Sequence, residues 1–284
     1  MAGHLTSHSY GKHCVRVSKV RRPRKAAPNT EQHDFVEASV DVELEGAFDA
    51  AFTAGDNRAV IATDTCKNTV YVLAKDHSLE TIESFGLLIA EHFLSRYEHV
   101  DRCTVSLSER VWTRLLNSPH AFVARDRVTP TAQVSFARKE QKQVTAGVEH
   151  LLIAKTTESG FVDFHRDEFR TLADTDDRIL ATELSASWSY ASTDVDFAAD
   201  RKTILDALLA RFIDHYSHSV QETLHLMGRA ALDACLAVNQ ITLTMPNKHH
   251  LLADLSPFNC ENENEVFVVT DEPFGTITGT LSRG

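Results

Sequence analysis

Paired cysteines are missing from this chain. Its five cysteines, Cys14, Cys66, Cys103, Cys235 and Cys260, are odd in number, widely spaced and free of CxxC. Free thiols in a reducing compartment are therefore predicted. Long apolar runs are missing too, and none approaches membrane-spanning length. The opening MAGHLTSHSYGKH has no apolar signal-peptide core, and the closing TLSRG is no peroxisomal tripeptide. A cytoplasmic protein is the expectation. Positive charge is in deficit. The formal net charge of -11 argues against a general nucleic-acid binder. There is no GxGxxG or P-loop phosphate cradle, no nucleophile elbow and no EF-hand. Whatever chemistry the chain performs has no recognisable cofactor motif to rest on.

What remains is an ordinary globular composition, long enough to bury a real core. Residues 1–9 read as a weakly held, flexible N-terminus. Cys14–Val20 and Phe35–Leu44 alternate as strands. Between them Arg21, Arg22, Arg24 and Lys25 surround Pro23, which reads as a solvated hairpin loop. In Phe35–Leu44, Val40, Val42 and Leu44 share one face, with Asp41 and Glu43 on the other. A turn at Ala54–Asn57 precedes helices at Thr65–Lys75 and Ser78–Tyr97. In the second of these, Ile82, Phe85, Ile89, Phe93 and Tyr97 recur at helical spacing as a core face. Strands follow at Cys103–Arg114, Ala121–Arg125 and Gln133–Arg138.

The same order then recurs. Strands at Val144–Thr156 and Ile179–Tyr190 precede a helix at Ala198–Tyr216, whose buried side is to carry Ile204, Leu205, Leu208, Leu209, Phe212 and Ile213. A helix from Val220 to Leu236 and strands at Gln240–Leu255, Glu265–Thr270 and Gly275–Leu281 close the chain. Each half reads strand–strand–helix–helix–strand–strand. The predicted class is α+β, with two tandem units, 10–142 and 143–284, each an antiparallel sheet with a helix pair packed on one face.

Four stretches carry the parts of a site. In Ala154–Arg178, Phe161, Phe164 and Phe169 are followed by an acidic loop and Arg178. An aromatic face and a guanidinium fork suit a flat anionic ring. Thr63-Asp64 stands at a helix start, where it can meet an anion or simply cap the helix. Ser219-Val220-Gln221-Glu222 matches a capping box, with the Val220 N–H left available and the Gln221 amide able to accept and donate at once. In Met245-Pro246-Asn247-Lys248-His249-His250, Pro246 predicts a bulge or an edge, and Asn247 and His249 share a face. No metal is expected there, since the pattern lacks a helical HxxxH or a carboxylate triad. His215 and His218 read as surface histidines or a cap. Lys12, Lys67 and Lys248 carry no signal of their own.

Taken together these stretches resemble the urate oxidase (uricase) family, the cofactor-free branch of the tunnelling (T-fold) enzymes. Five segments carry the resemblance: YGKHCVRVSKV, VIATDTCKNTVY, KTTESGFVDFHRDEFRTLADTDDR, SVQETL and MPNKHH, the last with Met245 for the commoner Leu. The resemblance implies two T-fold units per subunit and a homotetramer that closes into a barrel-like oligomer around a tunnel. It implies that Phe161 stacks on urate, and that Arg178, Gln221 and the Val220 N–H clamp one edge. Thr63 and Asp64 would meet the other edge from a neighbouring subunit. Asn247 and His249 would lie over the ring where dioxygen or water sits, and Lys12, Thr63 and His249 would form a proton relay. The implied partners are urate and dioxygen, with no cofactor and no metal. The implied products are 5-hydroxyisourate and hydrogen peroxide. Two alternatives stand beside this reading. One is another T-fold enzyme acting on purines or pterins, for which Gln221 in place of a Glu anchor is unfavourable. The other is a non-catalytic purine-binding oligomer, for which Lys12, Thr63 and His249 would be superfluous.

Overall fold

The structure is a computed structural model that describes residues 3–22, 32–125 and 127–284. Pro23, Arg24 and Lys25 of the predicted hairpin loop lie outside the described residues. The chain divides into two compact units. One runs to Gly147 and includes Ser189–Ala198. The other comprises Val148–Trp188 and Ala199–Gly284. The architecture is α+β: antiparallel strands with helices packed on them.

In the first unit, β1 (Tyr10–Arg21), β2 (Asp34–Gly46), β3 (Val100–Arg114) and β5 (Thr129–Ala137) neighbour one another in that order, and β4 (Phe122–Arg125) pairs with the end of β3. β1 starts at Tyr10 rather than Cys14. The alternation is hidden because a bulge interrupts the register between Lys12 and Val15. Cys14 there has φ 56°, and its N–H donates to Asp41 Oδ1 at 2.6 Å. Gly11 permits the approach of β1 to β2, since a Cβ would stand 1.8 Å from the Val42 carbonyl oxygen.

On β2, Val40, Val42 and Leu44 are buried as predicted. Helix α2 (Thr63–Asp76) packs on β1, and α3 (Ile82–Arg96) packs on β3 and β5. Ile82, Phe85, Ile89 and Phe93 of α3 are buried, each worth roughly 1.5–3 kcal/mol of transfer free energy. The helix begins at Ile82 rather than Ser78 because Leu79 has φ 55° and Thr81 caps, its Oγ1 accepting from Ser84 N–H at 3.3 Å. A short helix, α1 (Asp49–Ala54), was not predicted. It buries none of its residues and ends on Gly55 at φ 67°, inside the expected turn.

In the second unit the strand order is β6 (Gln143–Lys155), β7 (Leu180–Tyr190), β8 (Val238–Leu252) and β9 (Phe267–Ser282); β6 begins, and β7 ends, in residues of the first unit. Helix α5 (Val220–Ala234) packs on β8 and β9. Helix α4 (Phe197–Ile213) buries Ile204, Leu208 and Phe212. Ile213 is 73% exposed, against expectation, because the buried stripe is a narrow i, i+4 row and Ile213 is turned about 100° off it. The last two predicted strands are one. β9 runs through both, with a register break opposite Asn247–His249. No helix among the described residues is long and apolar enough to cross a membrane.

Candidate active site

A cavity of about 350 Å³ opens in the second unit, and Phe161, Arg178, Val220, Gln221, Asn247 and His249 all line it. Phe161 is placed by paired backbone bonds with Thr175, N to O at 2.6 Å one way and 3.0 Å the other. Its ring stacks on Phe164 with centroids 4.5 Å apart, and the Arg170 guanidinium carbon lies 5.0 Å from its centroid. Arg170 in turn pairs with Asp174, holding that carboxyl below its usual range. Phe169, the third aromatic of the segment, is 81% exposed and takes no part.

Arg178 is anchored through its N–H to the Ser159 carbonyl at 2.9 Å. Burial pushes its pKa down, and its Nε is buried with no hydrogen-bond partner among the described residues. A desolvated guanidinium of this kind is most stable against an anionic, bidentate acceptor.

Val220 and Gln221 are the first two residues of α5. Ser219 is the N-cap, its Oγ accepting from Glu222 N–H at 3.1 Å. The reciprocal half of the box differs from expectation. Glu222 Oε2 accepts from the backbone N–H of His218 at 3.0 Å, and its imidazole Nδ1 lies at 2.8 Å, one residue before the cap. The Glu222 carboxylate thus holds the residue before the cap rather than the Ser219 N–H. The Gln221 amide makes no hydrogen bond among the described residues.

Asn247 and His249 sit on β8 at the register break. Asn247 pairs with Gly275 but His249 pairs with Thr270, so four residues of β9 loop out opposite Lys248. The irregularity lies just past Pro246, which keeps its pairing with Thr276. Lys248 Nζ lies 3.8 Å from Glu183 and 5.1 Å over the Phe274 ring. No group of three or more His, Cys, Asp or Glu among the described residues is arranged to hold a metal ion.

Lys12, Thr63 and Asp64 belong to the first unit, where β1 holds both ends of α2. Tyr10 Oη accepts from Ile61 N–H at 2.8 Å, just before the helix, and Lys19 Nζ donates to the Ala74 carbonyl at 2.7 Å at its end. Lys12 stands between these two grips. Thr63 is the first residue of α2, with Ala62 at the cap position and no side-chain cap bond. Capping therefore does not explain Thr63 or Asp64. The Asp64 carboxylate takes Lys67 Nζ at 2.6 Å and Asn68 Nδ2 at 2.8 Å. Those two bonds and the charges of Lys67 and Lys12 hold its pKa down. The exposed Thr63 hydroxyl makes no hydrogen bond among the described residues.

Sequence reasoning missed Tyr10 and Gly160. A Cβ on Gly160 would stand 2.3 Å from Tyr216 Oη, so any other residue beside Phe161 would displace the Tyr216 hydroxyl from the Asp176 carbonyl. Nothing local marks that position, because the clashing partner is far along the chain.

Comparison with known proteins shows the family. The Uricase family profile matches residues 8–135 and 144–278. This chain belongs to the uricase family. It is similar to the uricase of Arthrobacter globiformis, 40% identical over 279 residues, covering 98% of this chain and 90% of that protein. It is also similar to the uricase of Dictyostelium discoideum, 38% identical, covering 98% and 97%. The crystal structure of the A. globiformis uricase superposes with a TM-score of 0.93 at 38% identity, over 100% of this chain and 96% of that one. The urate oxidase of Bacillus sp. TB-90, at 23% identity and a TM-score of 0.83, covers 98% of this chain and 100% of that one and speaks to the fold alone. As a member of the uricase family the chain is an oxidoreductase.

Proposed function

We propose that the protein oxidises urate with dioxygen and water to 5-hydroxyisourate and hydrogen peroxide, without a cofactor. The observation that carries the reading is the buried Arg178 Nε without a partner, in a cavity that also presents an aromatic face and the first N–H groups of α5. Phe161 stacks on the ring. Arg178, Gln221 and the Val220 N–H clamp its pyrimidine edge, where one guanidinium and one amide match alternating oxygen and N–H groups. Asn247 and His249 hold dioxygen or water over the reacting face.

Urate is electron-rich, and more so when doubly deprotonated. Lys12 polarises the Thr63 hydroxyl, and Lys12, Thr63 and His249 carry protons away from the ring. The dianion reduces dioxygen, water adds to the oxidised ring, and two electrons and two protons leave as hydrogen peroxide. Preorganised donors stabilise the developing charge, and the cavity keeps bulk water away.

The two halves of the chain are read as tandem T-fold units, 10–142 and 143–284, with residues 1–9 a flexible lead. Four subunits close a barrel-like homotetramer in the cytoplasm. Thr63 and Asp64 of a neighbouring subunit complete each site, approaching urate through the unpaired N–H groups at the start of α2.

The test is oxygen uptake and loss of urate's near-ultraviolet absorbance by purified, chelator-treated protein. Stoichiometric consumption with peroxide release is expected. Assembled protein that binds urate yet consumes no oxygen contradicts the reading and favours a purine-binding oligomer. Pterin turnover in its place favours a different T-fold enzyme.

A further inference from the structure

Opposite the Asn247–His249 side of the candidate cavity, its aromatic and clamping residues come from three chain segments: Ser159–Phe161, Asp176–Arg178 and Ser219–Gln221. A fourth stretch, His215–Ser217, touches the first two directly. Ser217 N–H donates to the Glu158 carbonyl at 2.8 Å, and the Ser217 carbonyl accepts from Gly160 N–H at 2.9 Å. Tyr216 Oη donates to the Asp176 carbonyl at 2.6 Å. The link to α5 is made by side chains. Thr223 Oγ1 bonds Ser217 Oγ at 2.7 Å and lies 2.9 Å from His215 Nε2. His215 Nδ1 lies 2.7 Å from the Arg211 carbonyl, and the His215 carbonyl accepts from Lys155 Nζ at 2.7 Å.

The Arg211 carbonyl can only accept, so Nδ1 carries a hydrogen. A neutral ring then turns the Thr223 hydrogen toward Nε2, and a charged ring sends it on to Ser217. In both states the Thr223 hydroxyl is bound at both ends. Ser217 and Thr223 are fully buried. Ser217 Oγ also reaches the Ser219 carbonyl at 3.2 Å, so losing the Thr223 hydroxyl strips His215 Nε2 of its partner and leaves Ser217 only the longer bond. The Thr223 hydroxyl is not needed for the helix start, because Ser219 and Glu222 already cap α5.

We propose that His215, Thr223 and Ser217 form a positioning node that sets the gap between Phe161 and Gln221, and so the grip on substrate. None of the three touches the ring. The proposal rests on the urate reading for the identity of the ligand, and on the hydrogen bonds above for the coupling. Thr223→Val removes the hydroxyl while keeping the shape, and Thr223→Ser keeps the hydroxyl.

In Thr223→Val the KM for urate and the Kd of a non-reactive urate analogue should both rise about tenfold, with kcat within about twofold. Hydrogen exchange, read by mass spectrometry, should quicken in peptides spanning 155–162 as well as in those spanning 214–221. Thr223→Ser should restore all four readouts. A Thr223→Val protein with wild-type KM and exchange overturns the proposal. So does a Thr223→Ser protein as impaired as Thr223→Val, which would assign the role to the methyl group. Should Thr223→Val fail to fold, Ser217→Ala answers the same question: faster exchange at 155–162 supports the node, and unchanged exchange overturns it. Wild-type protein that ignores urate overturns the urate reading alone, because the exchange comparison still decides the node.

Discussion

Arg178 and Thr63 represent two kinds of residue, and their substitutions should separate them. Arg178 is desolvated and aimed into the cavity, so its loss removes a charge-assisted contact. Arg178→Ala should weaken binding of a non-reactive urate analogue by about 1.5–3 kcal/mol, measured by calorimetry. Unchanged affinity would refute the clamp. Thr63 has an exposed hydroxyl without a hydrogen bond, at the start of a helix whose ends are both gripped by the strand that carries Lys12. Thr63→Ala and Lys12→Met should each lower kcat at least tenfold and change analogue affinity little. Normal turnover in both would remove the relay.

Arg178 and Gln221 carry a local signal, an arginine leading a strand and an amide in a helix's first turn, whereas Lys12 carries none and Thr63 reads equally as a cap, so their roles rest on the family resemblance alone. Thr223 and His215 were not legible. A threonine inside a helix and a histidine after one look ordinary until the fold brings Ser217 between them.

At the scale of elements, the strands and helices with a single periodicity were readable. Phe35–Leu44 alternates cleanly, and the face of α3 repeats at helical spacing. What failed were elements whose pattern is broken for a reason. The bulge at Lys12–Val15 hid the start of β1, the first strand of the chain. The looped residues opposite Asn247–His249 made β9 look like two strands. Both irregularities adjoin candidate site residues. A bulge leaves extra residues outside the ladder and bends the strand locally, which re-aims the side chains beside it. Helix α1 was missed for another cause: six residues with none buried leave no apolar signal to read. The capping pattern at Ser219–Glu222 located α5 correctly, although the carboxylate grips His218 rather than the cap residue itself.

At the scale of the whole molecule, acid should weaken the fold. Burial lowers the pKa of His77, His92 and His215 below the usual 6.5. The folded state thus favours neutral rings, while the unfolded chain takes up protons first. Their contribution is complete above about pH 6.5 and is lost as the pH falls toward the lowered values. Asp174 and Glu222, held below the usual carboxyl range, extend the loss at lower pH. The urea midpoint should fall between about pH 7.5 and about pH 5.5. A flat or rising midpoint would contradict this.

The central claim is that a site for urate is completed across subunits, with Arg178 from one chain and Thr63 from its neighbour. Mixing subunits tests it directly. Arg178→Ala and Thr63→Ala proteins, each nearly inactive, are unfolded together and reassembled in equal amounts. Random pairing gives about a quarter of the sites both wild-type residues, so about a quarter of wild-type urate oxidation should return. Mixed oligomers that form but regain no activity would contradict the account.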